Sequence, residues 1–107
     1  MPPGPLATWF NTGLGACGIN SNDAQFVVAI SQSLYDTWPG YSGGNPNNNP
    51  VCGRSLIATY QGRQVTATVV DRCTGCAVND IDFSPAAFSQ LADLSVGRLH
   101  GVSWEIV

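Results

Sequence analysis

Two aspartates stand out as the residues of this chain that could carry chemistry. Asp71 comes directly after the apolar pair Val69-Val70, and Asp82 comes directly before Phe83, so both are predicted at the ends of short strands. Carboxylates held at strand ends, in a chain in which only 10% of residues are charged, indicate a site for hydroxyl-rich or basic groups. Acid–base catalysis there would need a second acid or base that faces them.

Both aspartates also have a structural interpretation. Asp71 could cap a turn or pair with the neighbouring Arg72, and Asp82 could interact with the dipole of a helix that follows it. Asp80, which lies between them, is interpreted as a solvated turn residue. These structural roles are compatible with a functional role for the pair.

The composition narrows the class of partner. The 107 residues are enough for one domain, the net charge is -3, and the chain contains no lysine. An acidic chain without lysine is poorly suited to nucleic acids or to anionic membrane surfaces. A neutral polar partner such as a polysaccharide fits this composition.

The four cysteines predict structural disulfides. An even count in a small chain rich in glycine and asparagine is typical of an oxidising compartment. A zinc site would need two close pairs or nearby histidines, whereas Cys17 and Cys52 stand alone and His100 is the sole histidine. We therefore expect no metal and no cofactor, and Cys73 and Cys76 are not placed at the start of a helix as a redox pair would be.

The first five residues are predicted to be a flexible leader, and residues 6–107 to be a single domain. Residues 1–5 lack the basic and apolar segments of a signal peptide. Because the cysteines favour an extracellular protein, we interpret the chain as a mature secreted form with an added start methionine.

Short strands and one capped helix must position these residues. Ser84 is the predicted N-cap and Pro85 the first residue of the helix, with an apolar stripe after them. Many short strands with one short helix predict an all-β barrel. The predicted strands cover residues 6–10, 26–30, 56–60, 64–70 and 101–107, with short ones at the two aspartates.

Four further residues are candidates for binding a partner. Tyr35 and Trp38 lie in a predicted long polar loop over residues 35–50, and exposed aromatic rings stack on the faces of sugar rings. Alternatively, they anchor this loop to the barrel. Thr8 and Trp9 lie on the first predicted strand, where one face must be buried.

Six short motifs, taken in their order and spacing, carry a family resemblance. They are Thr8-Trp9-Phe10, Gly15-Ala16-Cys17-Gly18, the segment 28–35, Cys52-Gly53, the segment 69–73 and the segment 82–88. Together they resemble the first domain of expansins, a six-stranded double-psi β-barrel shared with barwin, rare lipoprotein A and family 45 glycoside hydrolases. The similarity extends over residues 6–107 and is greatest to the loosenins, which are single-domain expansin-like proteins.

This resemblance implies a shallow groove that binds a polysaccharide. Thr8, Asp71 and Asp82 match polar groove residues of the family, and Asp82 matches the aspartate that wall loosening requires. Cys73 stands where many expansins have an aromatic residue. Stacking on sugars must therefore come from other side chains: Trp9, Tyr35 or Trp38. The resemblance to barwin also implies that Cys17 pairs with Cys52, which leaves Cys73 to pair with Cys76.

The leading functional prediction is a secreted, monomeric protein that binds cellulose or a chitin-type polysaccharide and loosens it without hydrolysis. Inverting hydrolysis needs a base opposite the acid, and family 45 enzymes take theirs from the first strand. No carboxylate precedes Asp23 in this chain, and Asp71 is expected on the same side of the glycosidic bond as Asp82. Asp71 and Asp82 are therefore predicted to accept hydrogen bonds from sugar hydroxyls instead of catalysing hydrolysis.

Two alternatives remain open at this stage. One is a lytic glycosidase acting on peptidoglycan, as in rare lipoprotein A. Those proteins carry a histidine in the segment that reads Val28-Ala29-Ile30-Ser31 in this chain, which has none. The other is an inhibitor of papain-type proteases or a barwin-like defence protein, with the loop 35–50 as the inhibitory wedge.

Overall fold

A single seven-stranded sheet forms the body of the protein. The computed structural model describes residues 5–107, so the predicted leader lies outside the described residues except for Pro5. The strands are β1 (Leu6–Trp9), β2 (Val27–Ser31), β3 (Ser55–Tyr60), β4 (Arg63–Cys73), β5 (Ile81–Phe83), β6 (Arg98–His100) and β7 (Ser103–Ile106). Their order across the sheet is β6-β1-β5-β2-β4-β3-β7.

The sheet mixes parallel and antiparallel pairs. β1 lies parallel to β5 and antiparallel to β6, while β2 lies parallel to β4 and antiparallel to β5. β3 forms antiparallel pairs with β4 and β7. Segments distant in sequence, β1 and β5 above all, therefore become direct neighbours.

The core lies on the inner face of this sheet. All five residues of β2 are buried, as its continuous apolar run predicts. The largest fully buried side chains come from strands, helices and one turn spread along the chain: Tyr35, Phe83, Phe88, Ile30, Leu56, Ile81, Leu91 and Leu99. Burial of this kind is the main source of stability for a domain of this size.

The structure has seven strands where the sequence predicts six. The additional strand is β6, which has three residues and is held by its pairing with β1. The predicted strand over residues 101–107 begins only at Ser103, because the chain turns at Gly101, whose φ of 77° is in the left-handed region. A three-residue strand shows too few alternations to be recognised from sequence.

Two short α-helices complete the fold, within the one or two that were predicted. α2 (Pro85–Ser89) begins as expected, with the Ser84 side chain accepting a hydrogen bond from the backbone N–H of Ala87. α1 (Gln32–Asp36) includes the first residues of the predicted loop 35–50. Within residues 5–107, the structure has no helix that is long and apolar enough to cross a membrane.

Candidate functional site

A row of side chains crosses the outer face of the sheet and contains both aspartates. Strand register pairs Thr8 with Asp82, Asp82 with Ala29, and Ala29 with Asp71. Residues paired across neighbouring strands project from the same face of a sheet. Asp82 and Asp71 therefore lie two strand spacings apart, about 10 Å between their Cα atoms, with a small side chain between them.

Asp82 occupies a half-buried position in this row. The Thr8 hydroxyl donates a 2.8 Å hydrogen bond to Oδ1 of Asp82. Burial raises the pKa of the Asp82 carboxyl above its ordinary value; the hydrogen bond from Thr8 opposes this effect, and the negative charge of Asp71 adds to it. The two carboxylates are therefore close enough to interact, and Asp82 holds its proton more readily than a free aspartate.

Asp71 is fixed by the backbone around it. Its Oδ1 accepts hydrogen bonds from the backbone N–H groups of Ala16 and Arg72, both at 2.8 Å. The segment that supplies Ala16 packs tightly on β4, since a Cβ on Gly15 would lie 2.4 Å from the carbonyl oxygen of Val70. Gly15 thus allows the close approach that positions the Asp71 carboxylate.

Both predicted disulfides are confirmed. Cys17 is bonded to Cys52, and Cys73 is bonded to Cys76. The first bond holds the segment whose backbone contacts Asp71, and the second closes the turn two residues beyond Asp71. Each bond therefore stiffens one side of the same carboxylate.

The row continues to a residue that the sequence did not indicate. Register across β1 and β6 pairs Thr8 with Arg98, which places the exposed Arg98 side chain on the same face as Thr8 and Asp82. The row thus has acceptor groups at one end and a guanidinium donor at the other. Only the pairing of β6 with β1 reveals this, because residues 8 and 98 are remote in sequence.

Two of the predicted stacking residues are not on this face. Tyr35 is fully buried, and its hydroxyl donates a 2.6 Å hydrogen bond to the carbonyl oxygen of Pro46, so it anchors the loop instead of contacting a sugar. Trp9 projects from the face opposite Thr8, packs against the core, and donates from Nε1 to the carbonyl oxygen of Leu94. Of the three aromatic candidates, Trp38 remains, half-buried against the core.

Asp23 provides a further carboxylate, near the end of β1. The sequence did not indicate this position. Oδ1 of Asp23 accepts from the backbone N–H and the hydroxyl of Thr12, each at 2.8 Å, and Oδ2 accepts from Asn11 at 3.0 Å. These hydrogen bonds lower the pKa of the Asp23 carboxyl. A carboxylate stabilised in this way is a poor base.

The other charged groups near the row are engaged elsewhere. Asp80 closes the turn that begins at Ala77 and is half-exposed, as expected, but its carboxylate is also held by the protein, since Oδ1 accepts from the backbone N–H of Leu6 at 3.0 Å. Arg72 forms a 2.9 Å ion pair with Asp36. Among residues 5–107, no group of three or more histidine, cysteine or acidic side chains is arranged to hold a metal ion.

The fold and the row together define a double-psi β-barrel protein with a row of polar side chains across one face of its sheet. The chain belongs to the family described as lytic transglycolase, whose model matches residues 5–103. The predicted family and fold class are thereby confirmed, and the match covers nearly the whole chain.

Two curated proteins are similar to the chain in sequence. A papain inhibitor of Streptomyces mobaraensis is 37% identical over 106 residues, covering 97% of this chain and 70% of the inhibitor. An allergen Asp f 7 homolog of Arthroderma benhamiae is 35% identical over 114 residues, covering 94% of this chain and 37% of that protein. The chain therefore spans well under half the length of the second relative.

Two solved structures share the fold over the full length of the chain. A Streptomyces papain inhibitor has a TM-score of 0.84 at 37% identity, with 93% of its chain covered. An expansin mutant of Clavibacter michiganensis in complex with cellohexaose has a TM-score of 0.75 at 27% identity, with 50% of its chain covered. The predicted resemblance to expansins therefore extends to the three-dimensional fold.

Proposed function

We propose that this protein binds a β-linked structural polysaccharide of the cellulose or chitin type along the row formed by Thr8, Asp82 and Asp71, and that it loosens contacts between polysaccharide chains without cutting them. The observation that carries this proposal is the row itself, in which two carboxylates two strands apart face outward on one side of the sheet. The similarity to an expansin solved with cellohexaose supports the choice of ligand.

Each carboxylate in the row has an oxygen available to a sugar hydroxyl. Within residues 5–107, the protein's hydrogen bonds to the side-chain carboxylates of Asp82 and Asp71 all go to Oδ1, which leaves Oδ2 of each free to accept. Hydrogen bonds to ionised groups are about twice as strong as those between neutral groups. A carboxylate can therefore replace a hydroxyl–hydroxyl contact between two polysaccharide chains, which weakens their association.

The geometry supports binding in preference to hydrolysis. The raised pKa of Asp82 suits a general acid, but an inverting enzyme also needs a base about 6.5–9.5 Å away, across the glycosidic bond. Asp71 projects from the same face of the sheet as Asp82 and does not oppose it. Asp23, which lies near the end of β1, has a lowered pKa, and its carboxylate already accepts hydrogen bonds from Thr12 and Asn11.

The proposed setting is extracellular, with the protein acting as a monomer. Two disulfides among residues 5–107 are consistent with an oxidising compartment. Structural polysaccharides of cell walls are found in the same compartment, so the location and the ligand agree.

The test combines a binding assay with a product assay. The wild-type protein should sediment with cellulose or chitin and release no reducing ends above a control without protein. Asp82→Asn should lose most of this binding. Asp93→Asn is the matched control, because Asp93 lies outside the row and an asparagine side chain can also accept the hydrogen bond that Asp93 accepts from the backbone N–H of Ser95, at the start of the short 3₁₀ helix Leu94–Val96. Reducing ends that accumulate with the wild type and vanish with Asp82→Asn would contradict the non-hydrolytic part, and would instead favour a lytic glycosidase.

A second candidate function is the inhibition of papain-type proteases. The observation that favours it is the similarity to papain inhibitors, which reaches 37% identity over nearly all of both chains in the solved structure. The proposed inhibitory loop 35–50 is held in place, because Asn49 is buried and its side-chain amide donates a 2.6 Å hydrogen bond to the carbonyl oxygen of Tyr35. A pre-ordered loop loses little entropy on binding. Papain activity that is unchanged by a large molar excess of this protein would exclude the candidate.

A further inference from the structure

A small cavity opens beside Thr8, on the side of the row where Arg98 lies. Its volume is about 220 Å³, and its walls include Leu6, Thr8, Asp80, Arg98 and the turn that Cys73 and Cys76 close. Cavities that hold a whole drug-sized ligand measure about 300–1,000 Å³. This cavity therefore has room for one substituent of a chain lying in the row.

One wall of the cavity provides hydrogen-bond donors. The guanidinium of Arg98 carries five N–H groups, and within residues 5–107 it takes part in no ion pair or side-chain hydrogen bond. Two of the other arginines differ in this respect, since Arg72 pairs with Asp36 and Arg54 donates to the carbonyl oxygen of Val107. Arg98 is thus a cation that the protein leaves available beside Thr8.

A second wall provides an acceptor. Each oxygen of the Asp80 carboxylate accepts one backbone N–H, from Leu6 at 3.0 Å and from Ala77 at 3.3 Å. A carboxylate oxygen has two lone pairs, so Asp80 can accept a further hydrogen bond from a ligand while it remains fixed in position. Donor and acceptor are therefore presented by different sides of one cavity.

The remaining wall is small and apolar. It consists of Leu6, the disulfide between Cys73 and Cys76, and Gly75, where an added Cβ would meet no atom within 4 Å. Such a wall favours contact with an apolar group, because its area leaves water on binding. A ligand that fits the whole cavity would combine a donor, an acceptor and an apolar end.

We propose that this cavity binds the acetamido group of an N-acetylated amino sugar, so that the preferred polysaccharide is of the chitin type. The acetamido carbonyl would accept from Arg98, its N–H would donate to Asp80, and its methyl group would contact Leu6 and the disulfide. A carboxylate substituent could pair with Arg98 but would be repelled by Asp80, and an ammonium substituent could pair with Asp80 but would be repelled by Arg98, whereas the neutral acetamido group can hydrogen-bond to both. This inference rests on the proposed function, since the sugar chain must first lie along the row.

Three hexasaccharides of the same length and β-1,4 linkage separate the possibilities. They are the hexamers of N-acetylglucosamine, glucose and glucosamine, each titrated against the protein by calorimetry and followed by amide NMR. We expect the N-acetylglucosamine hexamer to bind roughly tenfold more tightly than the glucose hexamer, which corresponds to one hydrogen bond to a charged group. The backbone amides of Leu6 and Gly75 should shift with the N-acetylated hexamer alone.

Arg98→Met tests the donor wall with a side chain of similar length. It should remove the preference for the N-acetylated hexamer, so that the affinity for that hexamer falls about tenfold more than the affinity for the glucose hexamer. Arg63→Met is the matched control, because Arg63 is exposed at the start of β4, while the cavity lies at the end of that strand. The control should retain the full preference.

The outcomes distinguish this inference from the proposed function. Equal affinity for the N-acetylated and glucose hexamers, or an equal loss of both in Arg98→Met, would overturn the acetamido site while binding along the row stands. Tightest binding of the glucosamine hexamer would overturn it as well, by showing that the carboxylates select a cation. If no hexamer binds to the wild type, the proposed function and this inference both fail.

Discussion

Gly15 provides a stringent test of how Asp71 is positioned. Replacing Gly15 with alanine adds one methyl group, which would lie 2.4 Å from the carbonyl oxygen of Val70 and 3.0 Å from Cβ of Asp71. The nearest of these atoms belongs to the backbone of β4 and cannot rotate away. The segment at residues 15–17 must therefore move off the strand, and it then loses the hydrogen bond from Ala16 to Asp71.

The expected loss of stability has two sources, the steric overlap with Val70 and the lost hydrogen bond from Ala16 to Asp71. Overpacking a well-packed position costs about 1–3 kcal/mol, and a hydrogen bond to a charged group contributes about 1.5–3 kcal/mol. The half-exposed site allows some recovery through water, so we expect Gly15→Ala to lower the free energy of unfolding by about 2–4 kcal/mol. Binding to polysaccharide should weaken as well, because Asp71 loses one of its two backbone donors.

Gly13→Ala is the control for this experiment. The same methyl group at Gly13 would meet no atom within 4 Å, so this variant should match the wild type to within about 0.5 kcal/mol. Both variants are compared by denaturant unfolding with the disulfides intact and by sedimentation with the polysaccharide. A Gly15→Ala protein that is as stable as Gly13→Ala would refute the steric argument, and unchanged binding would refute the role given to the segment.

Three further predictions concern other parts of the site. Because burial raises the pKa of Asp82, protonation of this carboxyl favours the folded state. The stability of the wild type relative to Asp82→Asn should therefore fall as pH rises from about 4, the pKa in the unfolded state, through the higher pKa in the folded state. Denaturant unfolding of both proteins between pH 3 and 7 measures this difference, and a difference that does not change with pH would refute the role of burial. Tyr35→Phe should lower the free energy of unfolding by about 1 kcal/mol, because it removes the hydrogen bond to Pro46, and should leave polysaccharide binding intact. Lost binding with unchanged stability would show that Tyr35 contacts the ligand. Replacing Cys73 and Cys76 with serine should lower stability by about 2 kcal/mol, the value for so short a loop, and a much larger loss in denaturant unfolding would point to an additional structural role.

The features that local signals encode were predicted well. Ser84 and Pro85 mark a helix start because capping and a fixed proline φ act within a single turn. The continuous apolar run of β2 predicts a strand buried on both faces because burial follows directly from side-chain type. Asp71 and Asp82 were predicted at strand ends because each lies next to an apolar run; both lie inside strands, since β4 continues to Cys73 and β5 is centred on Asp82.

Features that depend on register between distant strands could not be predicted in this way. Arg98 joins the row only because β6 pairs with β1, and this pairing has no signature within three residues. Tyr35 lies in a polar stretch but is buried, because α1 turns its ring toward the core and the hydroxyl finds a partner in Pro46. Trp9 faces inward for a similar reason, since alternation along β1 places it opposite Thr8.

The sequence by itself determined the family, the chemical types of the site residues and the local elements that carry them, because motif order, capping and hydrophobic periodicity are properties of neighbouring residues. Tertiary structure alone decided which of these residues share a face. It placed Asp82 beside Thr8 across a separation of 74 residues, directed Tyr35 and Trp9 away from the face that carries the row, and added Arg98 to the row. The physical reason is that a sheet joins strands by backbone hydrogen bonds, whose register depends on how the whole chain packs around its core.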